Sequence, residues 1–195
     1  MKNLFTIFFL ILSFNMYSQY NDVKMYFNDS TSIEGLGYIK KNKIYFKLEE
    51  KEDFSEWGME SIYRIDFFGF ENEVRSFEFI YSDTFKKFHL MELLVEGEVN
   101  LYTFEKNIII VPGFGSKGIS IGTLYKSKLK EYFVKHKKDT TATNILFGFN
   151  KKIPRFFSDC PDIIEMVNDK TFTRDDIDLI VKYYNDNCSV KSYSS

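Results

Sequence analysis

Apolar and polar residues alternate with a period of two through most of the middle of the chain. In the segment KIYFKL (43–48), Ile44, Phe46 and Leu48 alternate with more polar neighbours. The same alternation occurs in three further segments, VKMYF (23–27), SIYRIDFFGF (61–70) and EVRSFEFIYSD (73–83). A period of two places successive side chains on opposite faces of an extended backbone, so these segments are predicted to be β-strands.

Short runs of turn-forming residues separate these strands. They include NDS (28–30), KKN (40–42) and the Glu96-Gly97 pair inside FHLMELLVEGEVNLYTFEKNIIIV (88–111), which reads as two or three strands. Closely spaced strands with short polar turns favour an antiparallel meander over a parallel sheet. We therefore expect an antiparallel β-meander that curls into a roll or barrel, over residues 19–136.

The period changes to that of a helix near the C-terminus. Pro161 suits a first helical turn, and apolar residues follow at helical spacing, namely Ile163, Ile164 and Val167. Thr173 and Asp176 resemble a helix cap that precedes a second apolar face, formed by Ile177, Ile180, Val181 and Tyr184. The fold class predicted is α+β, with a linker at 137–152 and a C-terminal helical hairpin at 153–195.

The first residues, MKNLFTIFFLILSFNMYSQY, have the layout of a secretory signal peptide. Lys2 is basic, residues 4–12 are almost entirely apolar, and the small Ser18 follows. The apolar run is much shorter than the ~20 residues that a spanning helix needs, and a retained interfacial anchor is the alternative reading. We predict cleavage after Ser18, so that residues 1–18 are removed and the protein is periplasmic, cell-surface or secreted.

The only two cysteines, Cys160 and Cys188, lie at the two ends of the predicted hairpin. Two antiparallel helices of similar length bring the chain back to its start, because each helical residue advances only about 1.5 Å. In an oxidising compartment the pair is therefore predicted to form a structural disulfide. A redox-active pair or a metal site is the alternative, but the chain has no C-x-x-C and only two histidines.

Composition indicates a folded domain without a strong electrostatic preference. Aromatic residues make up 18 % of the chain, with 22 Phe and 13 Tyr. The 26 basic and 28 acidic residues give a net charge of −2, which becomes 25 − 28 = −3 once Lys2 is removed with the signal. A balance this close to zero gives no reason to expect nucleic acid or an anionic membrane as partner. The segment DFFGFENE (66–73) is a candidate exposed aromatic patch.

The segment IIIVPGFGSKGISIG (108–122) contains a dinucleotide-binding pattern at Gly113, Gly115 and Gly118. That motif needs a helix that begins at the loop and holds the pyrophosphate at its N-terminus. Here ISIGTLY (119–125) alternates like a strand, and no βαβ unit surrounds it. We predict no cofactor.

The same segment contains a serine-hydrolase pattern at Gly118, Ser120 and Gly122, followed by Glu131 and His136 in the expected order. Both partners lie within 16 residues of the serine, on what reads as one strand or short helix. A hydrolase holds them on separate loops, so we interpret the segment as a glycine-rich turn and Ser120 as dispensable.

His89 alternates with apolar neighbours and is interpreted as a strand residue rather than a ligand. His136 lies among lysines and is interpreted as part of a solvated face. Acidic residues are plentiful, but nothing in the sequence singles out a pair for glycoside hydrolysis. No catalytic or metal-binding residue is therefore predicted.

Several segments together resemble a group of uncharacterised exported proteins common in Bacteroidetes. They are IEGLGYI (33–39), ESIYRIDFFGF (60–70), MELLVEGEVNLYTF (91–104), FFSDCPDII (156–164) and DLIVKYYNDNC (178–188). The resemblance implies an envelope or secreted location and supports the disulfide, but it implies no activity.

Two functions are carried forward from the sequence. The first is a non-enzymatic binding or interaction module whose partner is an envelope or extracellular protein or a glycan. The alternative is a hydrolase that acts on cell-wall or surface glycans with a pair of carboxylates. A concave pocket with converging ionisable groups would favour the enzyme, whereas an interior filled with aromatic side chains would favour the binding module.

Overall fold

The computed structural model describes residues 20–69, 73–110 and 125–189. These residues form ten β-strands, three α-helices and one turn of 3₁₀-helix. The chain divides into two compact units, residues 1–75 and 76–195. The predicted signal peptide with its cleavage site after Ser18, and the glycine-rich turn with Ser120, lie outside the described residues.

The first unit is an antiparallel sheet. Its strands are β1 (Asn21–Phe27), β2 (Ser32–Lys40), β3 (Lys43–Lys47), β4 (Ser55–Trp57) and β5 (Ile62–Phe68). They are arranged in the order β5-β1-β2-β3-β4, and each neighbouring pair is antiparallel. The predicted meander over the first three strands is confirmed.

Both predicted turns of the first unit contain residues in the left-handed backbone region. Ser30 has φ 70° between β1 and β2. Lys41 and Asn42, with φ 51° and 65°, form the two-residue connection between β2 and β3. Two successive residues with positive φ match the twist of a tight antiparallel hairpin.

Alternation predicts the buried face of β3 correctly and fails at its end. Ile44 and Phe46 are buried, but Leu48 lies beyond the last strand residue and is 51 % exposed. Lys47 is buried instead, because its ammonium donates to the carbonyl of Glu50 and lies over the ring of Phe54. The last buried residue of this segment is therefore a hydrogen-bonded lysine, and the expected leucine is exposed.

A register shift in β5 changes which of its residues are buried. The pairing with β1 passes from Tyr26 opposite Arg64 to Phe27 opposite Ile62, so Tyr63 is skipped. Such a bulge breaks the strict period of two. Strict alternation in this segment would place Tyr63 on the same face as the buried Ile65, but because of the bulge Tyr63 is exposed and Ile62 is buried.

The strands of the second unit curl without closing. They are β6 (Val74–Ser82), β7 (Phe88–Val95), β8 (Val99–Ile110), β9 (Tyr125–His136) and β10 (Thr141–Asn144). Consecutive strands pair antiparallel from β6 to β10, and the predicted turn at Glu96-Gly97 joins β7 to β8. β10 also runs parallel to β6 over two residue pairs. This contact curls the strands into a roll but is too short to close a barrel.

Three helices follow the strands. They are α1 (Phe149–Phe156), α2 (Pro161–Asn168) and α3 (Ile177–Asn187), with the 3₁₀ turn Arg174–Asp176 before α3. The last two are the predicted hairpin, and Thr173 and Asp176 form the predicted capping box at the 3₁₀ turn. No helix in the described ranges is long and apolar enough to cross a lipid bilayer.

The segment 137–152, predicted as a linker, contains β10 and the first four residues of α1. Its polar composition resembles a loop because only one face of β10 is buried, with Ala142 and Asn144 inward. The helix α1 has only eight residues and contains Pro154. Proline usually ends a helix, so this sequence gives little helical signal.

Helices and strands of the second unit share one apolar core. Its buried members on the strands are Val95, Val99, Leu101 and Val134, and on the helices they include Ile153, Ile163, Ile180 and Tyr184. The side-chain amide of Asn185 fixes α3 to β8, because it accepts from the N–H of Val99 and donates to its carbonyl, both at 2.9 Å. The predicted hairpin is therefore built into the second unit and is not a separate body.

The predicted disulfide between Cys160 and Cys188 is confirmed. It joins the residue before α2 to the residue after α3, with Cα atoms 5.7 Å apart, a usual separation for such a bond. Cys160 is completely buried within the shared core. The bond thus fixes the hairpin from inside the core rather than from its outer end.

Candidate functional site

The two described residues of the hydrolase pattern lie on opposite faces of β9. Glu131 is buried and accepts a 2.7 Å hydrogen bond from the amide of Asn144. His136 is half-buried, and its ring stacks on Phe156 with 4.6 Å between centroids. Five residues of separation, an odd number, point two side chains of one strand in opposite directions. The structure therefore does not bring these two residues together.

His89 lies in β7, as predicted, in an aromatic sandwich. Its ring centroid is 4.6 Å from that of Phe85 and 4.7 Å from that of Phe104. Both ring nitrogens are buried and have no hydrogen-bond partner in the described part of the chain. Burial lowers the pKa of His89 from its ordinary value of 6.5, and the positive charge of Lys87 lowers it further.

A small network of polar side chains lies around the buried Tyr102. The hydroxyl of Tyr102 donates to a carboxylate oxygen of Glu78 at 2.7 Å and accepts from the amide of Asn100 at 2.9 Å. Burial, followed by the negative charge of Glu78, raises the pKa of Tyr102. Tyr102 and Phe133 are completely buried. These side chains are held by one another, which is the arrangement of a structural core.

A groove beside α1 is a prominent concave site of the described second unit. It has a volume of about 730 Å³ and is lined by residues 148–151 at the start of α1, 167–168 at the end of α2, and four residues of the connection to α3. We call it the basic groove, because Lys151, Lys170 and Arg174 line it and no carboxylate does among the described residues. Buried Phe149 and Val167 contribute apolar surface to it.

Local backbone features position the three cations. Gly148, with φ 80°, turns the chain into α1, and Lys151 follows in its first turn. Lys170, with φ 69°, lies two residues after the end of α2 and reverses the chain direction. Arg174 opens the 3₁₀ turn, which is capped by hydrogen bonds between Thr173 and Asp176.

The cations of the basic groove form no ion pair among the described residues. Over the described ranges, the ion pairs lie elsewhere and include none of Lys151, Lys170 and Arg174. The groove thus places three positive charges without an ion-pair partner, among the described residues, at one cavity of ligand size.

A second concave site has charges of both signs. It has a volume of about 470 Å³ and is lined by Asp83, His136, Asp139, Thr143, Lys152, Arg155 and Phe156. Its polar groups are partly used by the fold. Asp83 accepts from the N–H of Asn144 at 3.2 Å and from the hydroxyl of Thr84 at 2.9 Å, while the ammonium of Lys152 donates to the carbonyl of Asn144. This site contains converging ionisable groups, of which Asp83 and Lys152 are engaged in hydrogen bonds of the fold.

The predicted aromatic patch at 66–73 is partly described. Phe67 is half-buried and Phe68 is 40 % exposed, whereas Phe70 lies outside the described residues. Asp66 is buried and accepts hydrogen bonds from Tyr26 and Arg64. In the described part of this segment, the exposed aromatic surface is therefore one phenylalanine.

Sequence reasoning missed the basic groove entirely. Lys151 and Arg174 are 23 positions apart, and α1, which carries the first of them, gives little helical signal.

Within the described ranges, no group of three or more His, Cys, Asp or Glu side chains is arranged to hold a metal ion.

Comparison with known proteins adds no template for this site. The chain matches no protein family, no curated protein and no solved structure. The chemistry of the groove itself therefore carries the functional argument.

Proposed function

We propose that the protein is an exported, non-enzymatic binding module whose ligand is anionic and occupies the basic groove. Export is supported by the signal-like N-terminus and by the disulfide, since such bonds persist in oxidising compartments. The resemblance to exported Bacteroidetes proteins points the same way. Within this proposal, the partner is a carboxylate- or phosphate-bearing molecule of the envelope or its surroundings.

The observation that carries the proposal is the sign of the charge in the groove. Three cations line one cavity with no carboxylate among its described residues, in a chain whose overall charge is negative. Like charges brought together repel, so their convergence costs free energy in the unliganded protein. An anion bound among them removes that repulsion and gains charge-assisted hydrogen bonds.

The apolar surface of the groove narrows the class of ligand further. Phe149, Val167 and Phe172 line it together with the cations. Inorganic phosphate would leave this apolar surface in contact with water. A ligand that combines an anionic group with an apolar portion covers both kinds of surface.

Glycan hydrolysis, the alternative from the sequence, finds less support. The second concave site, which has charges of both signs, contains two carboxylates, Asp83 and Asp139. Hydrogen bonds from Asn144 and Thr84 already engage Asp83, and Lys152 and Arg155 line the same site. Asp83 is therefore held by the fold, whereas a glycosidase needs both of its carboxylates to face the sugar.

Phenyl phosphate and benzoate are suitable probes, and amide chemical shifts in NMR spectra locate their binding. Tryptophan fluorescence is not a direct probe, because Trp57, the only tryptophan, does not line the described part of the groove. We expect both anions to shift the amides of residues 148–151 and 167–174. Binding should weaken as salt increases, because the charges are solvent-exposed.

Charge reversal tests which side chains are responsible. Lys151→Glu combined with Lys170→Glu should weaken binding at least tenfold, while the control Lys137→Glu combined with Lys138→Glu makes the same change of charge at two exposed positions that do not line the described part of the groove. Thermal unfolding verifies that each variant is folded. Equal weakening by the control, or an equal affinity for neutral benzyl alcohol, would refute the proposal.

A further inference from the structure

We infer that the ligand of the basic groove is a single-chain anionic amphiphile, with its charged head at the cations and its apolar chain in a neighbouring cavity. This inference rests on the proposed function and specifies the class of ligand. A free long-chain carboxylate or a monoalkyl phosphate has this chemistry.

The neighbouring cavity lies beside the basic groove and shares Arg174 with it. It has a volume of about 420 Å³. Five of its lining residues are apolar or aromatic, namely Leu94, Val95, Tyr132, Leu146 and Ile177. Leu146 precedes Gly148, which lines the basic groove, by only two residues. A ligand that spans both cavities would pass Arg174 and the segment 146–149.

The two cavities differ in charge. The charged residues that line the described part of the basic groove are cations alone, whereas both Asp175 and Asp178 and both Arg174 and Lys182 line the neighbouring cavity. These charges balance, and Asp178 and Lys182 form an ion pair with each other at 3.3 Å. An anionic head is therefore favoured in the basic groove, and the uncharged part of the ligand is favoured in the neighbouring cavity.

Exposed apolar side chains lie along the same route. Leu94, which lines the neighbouring cavity, is 43 % exposed, and Phe147, between Leu146 and Gly148 in sequence, is 59 % exposed. An alkyl chain would remove part of this apolar surface from water.

A series of n-alkyl carboxylates with 4 to 12 carbons, titrated calorimetrically below their micelle concentrations, tests the inference on the full chain. Each methylene that enters the neighbouring cavity should lower the dissociation constant by up to about fourfold, from the transfer free energy of a buried methylene. The affinity should level off once the cavity is filled. Monoalkyl phosphates of the same lengths should show the same dependence.

Leu94→Gln should reduce the change in affinity from one chain length to the next. The affinity for butanoate should stay within about twofold of that of the unaltered protein. Leu179→Gln is the matched control, because Leu179 is 50 % exposed on α3 and does not line the described part of either cavity. The double charge reversal at Lys151 and Lys170 should weaken every member of the series by a similar factor.

The outcomes separate this inference from the proposed function. Affinity that does not change with chain length, but is lost on charge reversal, would overturn the amphiphile and leave the anion site intact. Tighter binding of an acidic peptide than of dodecanoate, or binding only to anionic vesicles, would also overturn it. Failure of every anion to bind would refute the proposed function itself.

Discussion

Removal of the Cys160–Cys188 bond should destabilise the strands of the second unit together with its helices. The bond lies inside a core that the helices share with Val99, Leu101 and Val134. In addition, the amide of Asn185 holds α3 to the backbone of β8. Because strands and helices bury the same surface, unfolding of the hairpin exposes the inner face of the strands as well.

The magnitude follows from the length of the closed loop. The two cysteines are 28 positions apart. In the chain-entropy account, a cross-link over such a loop stabilises the folded state by about 3 to 4 kcal/mol. Since small domains are stable by only about 5 to 15 kcal/mol, this loss is a large fraction of the total.

Hydrogen exchange with mass-spectrometric readout, with and without a dithiol reductant, measures the effect by segment. We expect the exchange free energies of residues 99–104 and 131–136 to fall by an amount similar to that of residues 161–187. The variant with Cys160→Ala and Cys188→Ala should reproduce this pattern without reductant and should not respond to it. Protection lost only in residues 158–189 would refute the shared core as the basis of cooperativity.

Two further predictions concern single side chains. For His89, whose pKa is lowered in the folded state, stability should be full above pH 6.5 and decline as pH falls through this value, because the unfolded chain binds the proton first. His89→Leu should reduce the fall in stability between pH 8 and 5, as measured by thermal unfolding. An unchanged fall would show that burial of His89 between aromatic rings does not cause it. Asn185→Ala should cost about 2 kcal/mol in denaturant unfolding, because the N–H and carbonyl of the buried Val99 lose their partners. The control Asn187→Ala, which removes one exposed hydrogen bond to Tyr183, should cost less than half as much.

Local patterns in the sequence determined most of the secondary structure. The alternation in residues 43–48, the turn at Lys41 and Asn42, and the capping box at Thr173 and Asp176 depend on neighbours in the chain. The disulfide was also predictable, because two helices of similar length return the chain to its starting point. These features require only local conformational preferences and short-range geometry.

Features that depend on distant parts of the chain were not predictable. Alternation alone cannot locate the register shift that exposes Tyr63, because it depends on pairing with β1. The helix α1 is short and contains a proline, and its buried residues belong to the core of the second unit. Its stability therefore comes from tertiary contacts rather than from helix propensity.

The candidate site shows the same division most clearly. The sequence determined that the chain has scattered lysines and arginines, a near-neutral charge and two cysteines. Only the tertiary structure decided that Lys151, Lys170 and Arg174 line one cavity without a carboxylate among its described residues. The three cations come from separate segments, so their spacing in the sequence follows no pattern. In the sequence, none of them differs from an ordinary exposed lysine or arginine. The fold alone sets their separation in space, and with it the chemistry of the groove.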